Sequence, residues 1–473
     1  MTSAIVVGSG PNGLACAAAL ATEGVEVTVL EAEDAIGGGA RTRELTVPGL
    51  LHDECSAVHP MAAGSPFFKS LGLERYGLEW RWPEVDLAHP LDDGAAGVML
   101  RSIDATAAGL REDGAAWRRL FGAPSRTFEA VNEDLLRPIL HAPRHPIGLA
   151  RFGIAAAMPV AALARIWSAP QARALFAGVA AHSFCPFGQP MSSAVGAALV
   201  CACHAFGWPV ARGGSRSITD ALAGVVREHR GRIETGVRVT SLADLPAADA
   251  VVLDLAPAVV ADLAGNRLPP RVSRAYRSYR HGPAAFKLDL AVQESVPWTD
   301  ETCRRAGTVH VAGSFEELAA AEREINRGRM PERPFVLVAQ QYLADPDRSA
   351  GDVHPIWAYA HVPHRYDGDA EPAIVAQLER FAPGLRDRIV ASASRAPAEI
   401  AAANPNYIGG DIVNGANTPK QILFRPRLAL NPYTTGIPGV FICSAATPPG
   451  GGVHGICGFN AAQAALRYLR SAA

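Results

Sequence analysis

Residues 3–33, SAIVVGSGPNGLACAAALATEGVEVTVLEAE, constrain this chain more than any other stretch. Residues 4–7 are a short, apolar, β-branched run, the pattern of a strand buried in a parallel sheet. Gly8-Ser9-Gly10-Pro11-Asn12-Gly13 follows at once, and Leu14, Ala15, Ala18 and Ala19 then fall at helical spacing. Residues 25–30 form a second apolar strand that ends on Glu31. The whole is strand, G-x-G-x-x-G turn, helix, strand. Gly8 permits the tight turn, Gly10 lets the backbone approach a pyrophosphate, and Gly13 lets helix and strand pack closely. The helix start, with Pro11 and Asn12, turns free N–H groups and a partial positive charge toward the phosphates. Glu31, followed by Ala32, stands where a carboxylate accepts from ribose hydroxyls and repels a 2′-phosphate. A G-x-G-x-x-G alone is weak and can be a structural turn, but strands, helix and acidic end in register predict a bound dinucleotide with an unphosphorylated adenosine ribose.

At 473 residues the chain has room for two or three domains, and with 49% apolar residues it can bury a large core. Its 44 basic and 46 acidic residues give a net charge of −2, so no basic excess points to nucleic acid. The 8 cysteines are scattered with no C-x-x-C pair, so neither a disulfide framework nor a metal site is expected. The opening MTSAIVVGSG has no basic n-region and no cleavage site, which predicts a cytoplasmic protein. Residues 174–211 contain no Asp, Glu, Lys or Arg. They are either a buried helical core or a segment in peripheral contact with a membrane, and Pro186, Gly188 and Pro190 interrupt the run.

The next residues, EAEDAIGGGARTREL, carry Gly37, Gly38 and Gly39, then Arg41. This resembles the extended FAD-binding signature of the amine-oxidase and phytoene-desaturase superfamily. The resemblance implies that Gly38 and Gly39 let the chain pass the pyrophosphate and that Arg41 contacts it, although Ala40 intervenes. GLLHDECSAVHP is similar to the segment that runs along the flavin there, with Asp53 at its acidic position and Cys55, Ser56 and Ala57 beside the ring. Cys55 is either a small hydrophobe or a redox thiol. No C-x-x-x-x-C follows the first unit, and no second strand–G-x-G-x-x-G–helix would hold a nicotinamide. A substrate would then supply the electrons, with oxygen, a quinone or another carrier removing them.

Near the C-terminus, residues 440–443 read as a buried strand, TPPGGGVHG as a loop, and Cys457, Ala461, Ala465 and Leu469 as one helical stripe. By resemblance this helix points at the flavin, with the backbone N–H groups of Gly455 and Ile456 stabilising the charge of the reduced ring. Many relatives have Gly-Asp where this chain has Ser444-Ala445, which leaves Ser444 or other groups to contact the ribityl chain. His454, next to the expected ring, is either an acid–base group or a structural loop residue. Residues 207–242 read as loop, amphipathic helix and strand, with Val239 implied to touch the adenine. In HGPAAFKLDLAVQESVPW, Phe286, Leu288 and Leu290 alternate with Lys287 and Asp289. A lysine opening a similar strand holds a water near the flavin in amine oxidases; Lys287 either matches it or faces outward.

NPNYIGGDIVNGANTPKQILFRPR and the motifs above resemble the phytoene-dehydrogenase-like branch of the superfamily. The expected fold is α/β: a discontinuous Rossmann-type FAD-binding domain (1–100, 207–280, 405–473) and a mixed-sheet plus helical substrate domain (101–206, 281–404). The expected function is FAD-dependent removal of hydride and a proton from a small or medium apolar substrate, as a desaturase, dehydrogenase or oxidase. A redox-neutral isomerase using reduced FAD and a non-catalytic binding protein on this scaffold are the alternatives.

Overall fold

The computed structural model describes residues 2–138 and 141–472. The first unit forms β1 (Ser3–Val7), helix α1 (Pro11–Thr22) and β2 (Glu26–Leu30), the strands parallel with Val7 beside Leu30. Pro11 occupies the first turn of α1, where a missing N–H leaves no bond unmade. Every residue of α1 from Gly13 to Ala21 is buried, because helices Arg216–Glu228 and Ile456–Ala472 pack on it as well as the sheet. Only the small side chains of ACAAALA permit packing from so many sides.

A hairpin follows, β3 (Thr42–Glu44) and β4 (Leu51–Asp53), then the short β5 (Trp80–Arg81). Strands β6 (Val85–Pro90) and β7 (Ala96–Met99) precede a helical region that ends at β8 (Val210–Ala211), which pairs with β5. Next come β9 (Arg232–Glu234) and β10 (Ala250–Leu253), then β11 (Ala284–Gln293), β12 (Ala306–Val311), β13 (Val336–Ala339), β14 (Val353–Val362) and β15 (Ile389–Arg395). The last strand is β16 (Val440–Ile442). One sheet is five-stranded, all parallel, in the order β16-β10-β1-β2-β9. The first and last strands of the chain therefore share a sheet, with β10 between them.

The second sheet is seven-stranded and mixed, in the order β15-β11-β14-β13-β12-β6-β7. Both of its faces are covered. Phe286, Leu288 and Leu290 pack with Ile374, Leu378 and Phe381 of helix Glu371–Phe381. On the other face Ala285, Leu337, Trp357 and Tyr359 join the core that includes helices Pro170–Ala181 and Ser193–Phe206.

Two expectations shift here. Residues 85–99 belong to the large sheet, because β6 pairs with β12, so the dinucleotide-binding domain gives way before residue 100. The strand expected around Val239 is β9, at Arg232–Glu234; Gly236 at φ 73° ends it, and Val239 follows in coil. The uncharged run 174–211 forms helices inside the core. Among the described residues no single helix is long and apolar enough to cross a membrane. The large apolar side chains that do face out include Ile147 and Ile154, on helix Pro146–Ala157.

Burial pushes His59, His89 and His454 down to about 4, and His310 lower still. It pushes Asp86 up to about 6 and Asp254 up to about 7. Below pH 6.5 the unfolded histidines take up protons that the folded ones refuse, so stability falls as pH falls. The two aspartates act in the opposite sense and offset part of this. His182 and His204 are lowered by burial as well, so the histidines outweigh the aspartates and a net loss of stability is expected as pH falls from 6.5 to 5. Urea unfolding at stepped pH measures it, and a flat profile would contradict the burial of these rings.

Candidate functional site

The parallel strands of the small sheet end on one side at a long open cleft. Its walls come from the turn after β1, the end of β2, the Gly37–Arg41 segment, the end of β10, residues 403–407 and the loop 451–453. The turn is fixed by the backbone: Gly8 N–H donates to Leu30 O at 2.8 Å, and Leu14 N–H to Gly10 O at 2.9 Å. A Cβ on Gly13 would stand 2.0 Å from Gly8 O, so only glycine closes this turn. Gly10 caps α1 without a side chain; Pro11 has no N–H and Gly13 N–H is given to Asp254, so the first turn of the helix leaves the Asn12 N–H for the cleft.

Glu31 is held at the wall: one oxygen accepts from Ser9 N–H (2.9 Å) and the Ser9 hydroxyl (2.6 Å), the other from Glu33 N–H (3.0 Å). Arg41 lines the cleft while its guanidinium donates to Gly38 O at 3.0 Å and Ala403 O at 3.2 Å. Two cleft residues, Asn12 and Asn414, each keep a buried amide oxygen that makes no hydrogen bond within the described protein. A helix N–H, a cation, a ribose-type carboxylate and idle amide oxygens form a donor and acceptor set that fits a dinucleotide.

Of the residues singled out in the sequence, Gly8, Gly10, Pro11, Asn12, Glu31, Ala32, Gly38, Gly39, Arg41 and Val239 line this cleft. Others do not. Ala57 is in the large hydrophobic core, and its neighbour Ser56 reaches the cleft instead. Ser444 is buried with an idle hydroxyl, and Ala445 lines the wall in its place. Gly455 and Ile456 also lie beneath the surface. A Cβ on Gly455 would meet the Phe68 ring at 2.4 Å and Ala15 at 2.9 Å, so this glycine serves helix packing. Ile456 N–H donates to Nδ1 of His454 at 3.1 Å, and the Ser65 hydroxyl donates to His454 O at 2.7 Å. His454 thus closes the start of the last helix; the open glycines of that loop are Gly451 and Gly452.

A small pocket adjoins the cleft, and Gly38, Gly39, Arg41, Asn404, Tyr407 and Ile412 serve both. Its far walls are largely apolar, with Trp357, Tyr359, Ala285 and Ile400, and Cys55 and Lys287 open onto it. Lys287 does not face solvent: it is 3% exposed, ion-paired with Asp289 and 4.9 Å from the centre of the Trp357 ring. Burial pushes the Lys287 ammonium down, and Asp289 opposes this. Asp289 in turn has Nδ1 of His52 at 3.3 Å, and Nε2 of His52 lies 2.8 Å from the Thr46 hydroxyl. Despite burial, Lys287 and His52 hold the Asp289 carboxyl below the usual carboxylate range. Burial pushes the Cys55 thiol up, so it stays protonated. Asp53 makes structural contacts, to Arg348 (2.6 Å), Ser215 N–H (2.8 Å) and Thr42 (2.7 Å).

Two parts of the site escaped the sequence analysis. Asp254 ends β10 and lines the cleft, and Tyr407 stands where cleft and pocket meet. The signal for Asp254 was available: VVLD repeats the pattern of VTVLE, a buried strand ending on an acid. Tyr407 lies in the NPNYIGG stretch that carries part of the resemblance, but no pattern there singles the tyrosine out.

Residues 6–69 match the family described as NAD(P)-binding Rossmann-like domain. The chain is 22% identical to a protein of Rattus norvegicus called pyridine nucleotide-disulfide oxidoreductase domain-containing protein 2, with 99% of this chain and 94% of that one covered. Among solved structures it resembles an oxidoreductase from Methanosarcina mazei (TM-score 0.65, 16% identity, 99% of this chain and 100% of that one). It also resembles putrescine oxidase bound to putrescine (TM-score 0.63, 17% identity, 99% of each chain). At such identities these structural likenesses establish the fold: an α/β molecule with a Rossmann-type domain and a large mixed sheet.

Proposed function

We propose that this protein is an FAD-dependent oxidoreductase acting on a small or medium apolar molecule. The observation that carries the reading is the shared wall: a dinucleotide cleft that opens past Gly38, Gly39 and Tyr407 into a pocket with an aromatic and aliphatic wall, where buried Lys287 stands with Arg41, Glu54 and Arg395. The cleft reaches from Val237 and Val239 at one end to Ala445 and Gly452 at the other, room for more than a mononucleotide. Glu31 would hold the adenosine ribose, Arg41 and the N-terminus of α1 the diphosphate, and Asn12 and Asn414 hydroxyl or amide groups further along. Bound there, FAD would accept a hydride from the substrate and pass the electrons to oxygen, a quinone or another carrier.

The protein's own part in the chemistry is positioning and proton handling. Trp357, Tyr359, Ile400 and Ile412 exclude water from the small pocket and favour an apolar substrate. Nζ of Lys287 faces the same space, and because burial lowers its proton affinity it releases a proton, directly or through a water, more readily than an exposed lysine would. The relative's name invokes disulfide chemistry, but among the described residues all cysteines are free, and Cys55 is the one that lines the small pocket. The superfamily branch and the choice between desaturase, dehydrogenase and oxidase rest on the sequence resemblance.

The test is anaerobic: loaded protein is offered a panel of apolar amines, alcohols and alkenes while the flavin band near about 450 nm is followed. A bleaching substrate identifies the class. Lys287→Met is expected to slow that bleaching by about 100-fold with FAD still bound. Bleaching as fast as in the wild type would remove Lys287 from the chemistry, and a panel with no bleaching substrate would count against dehydrogenation.

A further inference from the structure

Asp254 stands where the negative charge of a bound diphosphate has to be met. It ends β10, the strand between β1 and β16, and its Oδ2 accepts Gly13 N–H at 2.9 Å, at the N-terminus of α1. A Cβ placed on Gly10 would come within 2.8 Å of that oxygen, so the carboxyl lies against the turn itself. Asp254 is 7% exposed and lines the cleft with Glu31. No basic side chain pairs with it among the described residues; Arg41 is turned to Gly38 O, Ala403 O and Glu54. Two idle polar atoms mark the cleft as built for a ligand: the buried amide oxygens of Asn12 and of Asn414, both residues that line it.

A second full negative charge beside Glu31 would oppose a diphosphate. The structure offers a way around this. Burial pushes the Asp254 carboxyl up to about 7, against the pull of the Gly13 N–H and with the help of Glu31. The other titratable groups that sense Asp254 are Tyr407, Cys443 and Cys457, and burial pushes each of them up, Cys457 to about 11. They stay neutral between pH 6 and 9, which leaves Asp254 as the group that changes charge.

We propose that the dinucleotide binds with Asp254 as a neutral acid, so that protein whose Asp254 is ionised takes up one solvent proton at this carboxylate on loading and presents a donor to the cofactor. The inference rests on the dinucleotide reading of the cleft. Its sign is fixed: the ionised form must be protonated before or with binding, so affinity falls as pH rises above the titration of the free protein.

Flavin-free protein titrated with FAD from pH 6 to 9, read by flavin fluorescence, tests this. The wild-type Kd is expected to rise about tenfold per pH unit above pH 7.5, and that of Asp254→Asn to stay flat. Calorimetry at pH 7 in two buffers of different ionisation enthalpy should show uptake of about half a proton per FAD by the wild type and none by Asp254→Asn. A pH-independent wild-type Kd with no proton uptake overturns the proposal, as does a variant that keeps the slope. If the variant fails to fold, the wild-type calorimetry alone decides. Absence of FAD binding at every pH overturns the FAD reading and this linkage with it, whereas binding without a slope overturns the linkage alone.

Discussion

Arg348→Met is expected to lower the free energy of unfolding by about 3–5 kcal/mol. The guanidinium is completely buried. It donates to Asp53 at 2.6 Å, to Asp345 at 3.0 Å and to Ala211 O at 2.7 Å. One side chain thereby joins the β3–β4 hairpin beside the cofactor cleft, strand β8 and the segment before β14. Methionine fills most of the volume but leaves two carboxylates buried without their cation, which costs more than a whole pair is worth. In a double variant, Asp53→Asn should recover part of the loss, since it removes one of those charges. Urea unfolding measures both, and a single-variant loss below about 1 kcal/mol would show that Asp53 finds another partner or water.

Gly458→Ala is expected to be nearly as damaging although it adds one methyl group. The new Cβ would stand 1.9 Å from Asn12 O and 2.8 Å from Cys16 N. Both are backbone atoms of α1, so no side-chain rotation relieves the contact and the two helices must part. Overpacking of this kind costs about 3 kcal/mol. Because Asn12 lies in the first turn of α1, the shift also moves its own N–H, the helix donor left for the cleft, and FAD affinity should drop with stability. Gly153→Ala is the matched control: it lies inside helix Pro146–Ala157, and a Cβ there meets nothing within 4 Å. It should be neutral or stabilising by about 1 kcal/mol. Equal behaviour of the two variants would contradict the close approach of the chain's two terminal helices.

What could be read from the sequence was what is local. The first strand, turn, helix and second strand each carry their pattern within a few residues, and Glu31 follows its strand directly. The last helix was legible for the same reason, through Cys457, Ala461, Ala465 and Leu469, all of which are buried. The function of its glycines was not. Gly455 looks like an open seat for a ligand until Phe68, from a distant segment, is found against it. His454 likewise reads as a candidate acid or base until its ring is seen to accept the N–H of Ile456. Lys287 shows the opposite case: in an alternating strand a lysine suggests a solvent face, but β11 is covered on both sides. The boundary near residue 100 was misplaced because β6 finds its partner, β12, more than 200 residues along the chain. Pairings of that range leave no periodic trace in either segment.

The central claim is that both ends of this chain build one cleft for one FAD. Titrating flavin-free protein with FAD, with NAD as competitor and Glu31→Arg as control, tests it most directly. The account predicts saturation at one FAD per chain, little displacement by NAD, and at least about a tenfold loss of affinity in the variant, whose wall no longer accepts from the ribose. Saturable binding of NAD with no uptake of FAD, or binding of neither, would contradict it.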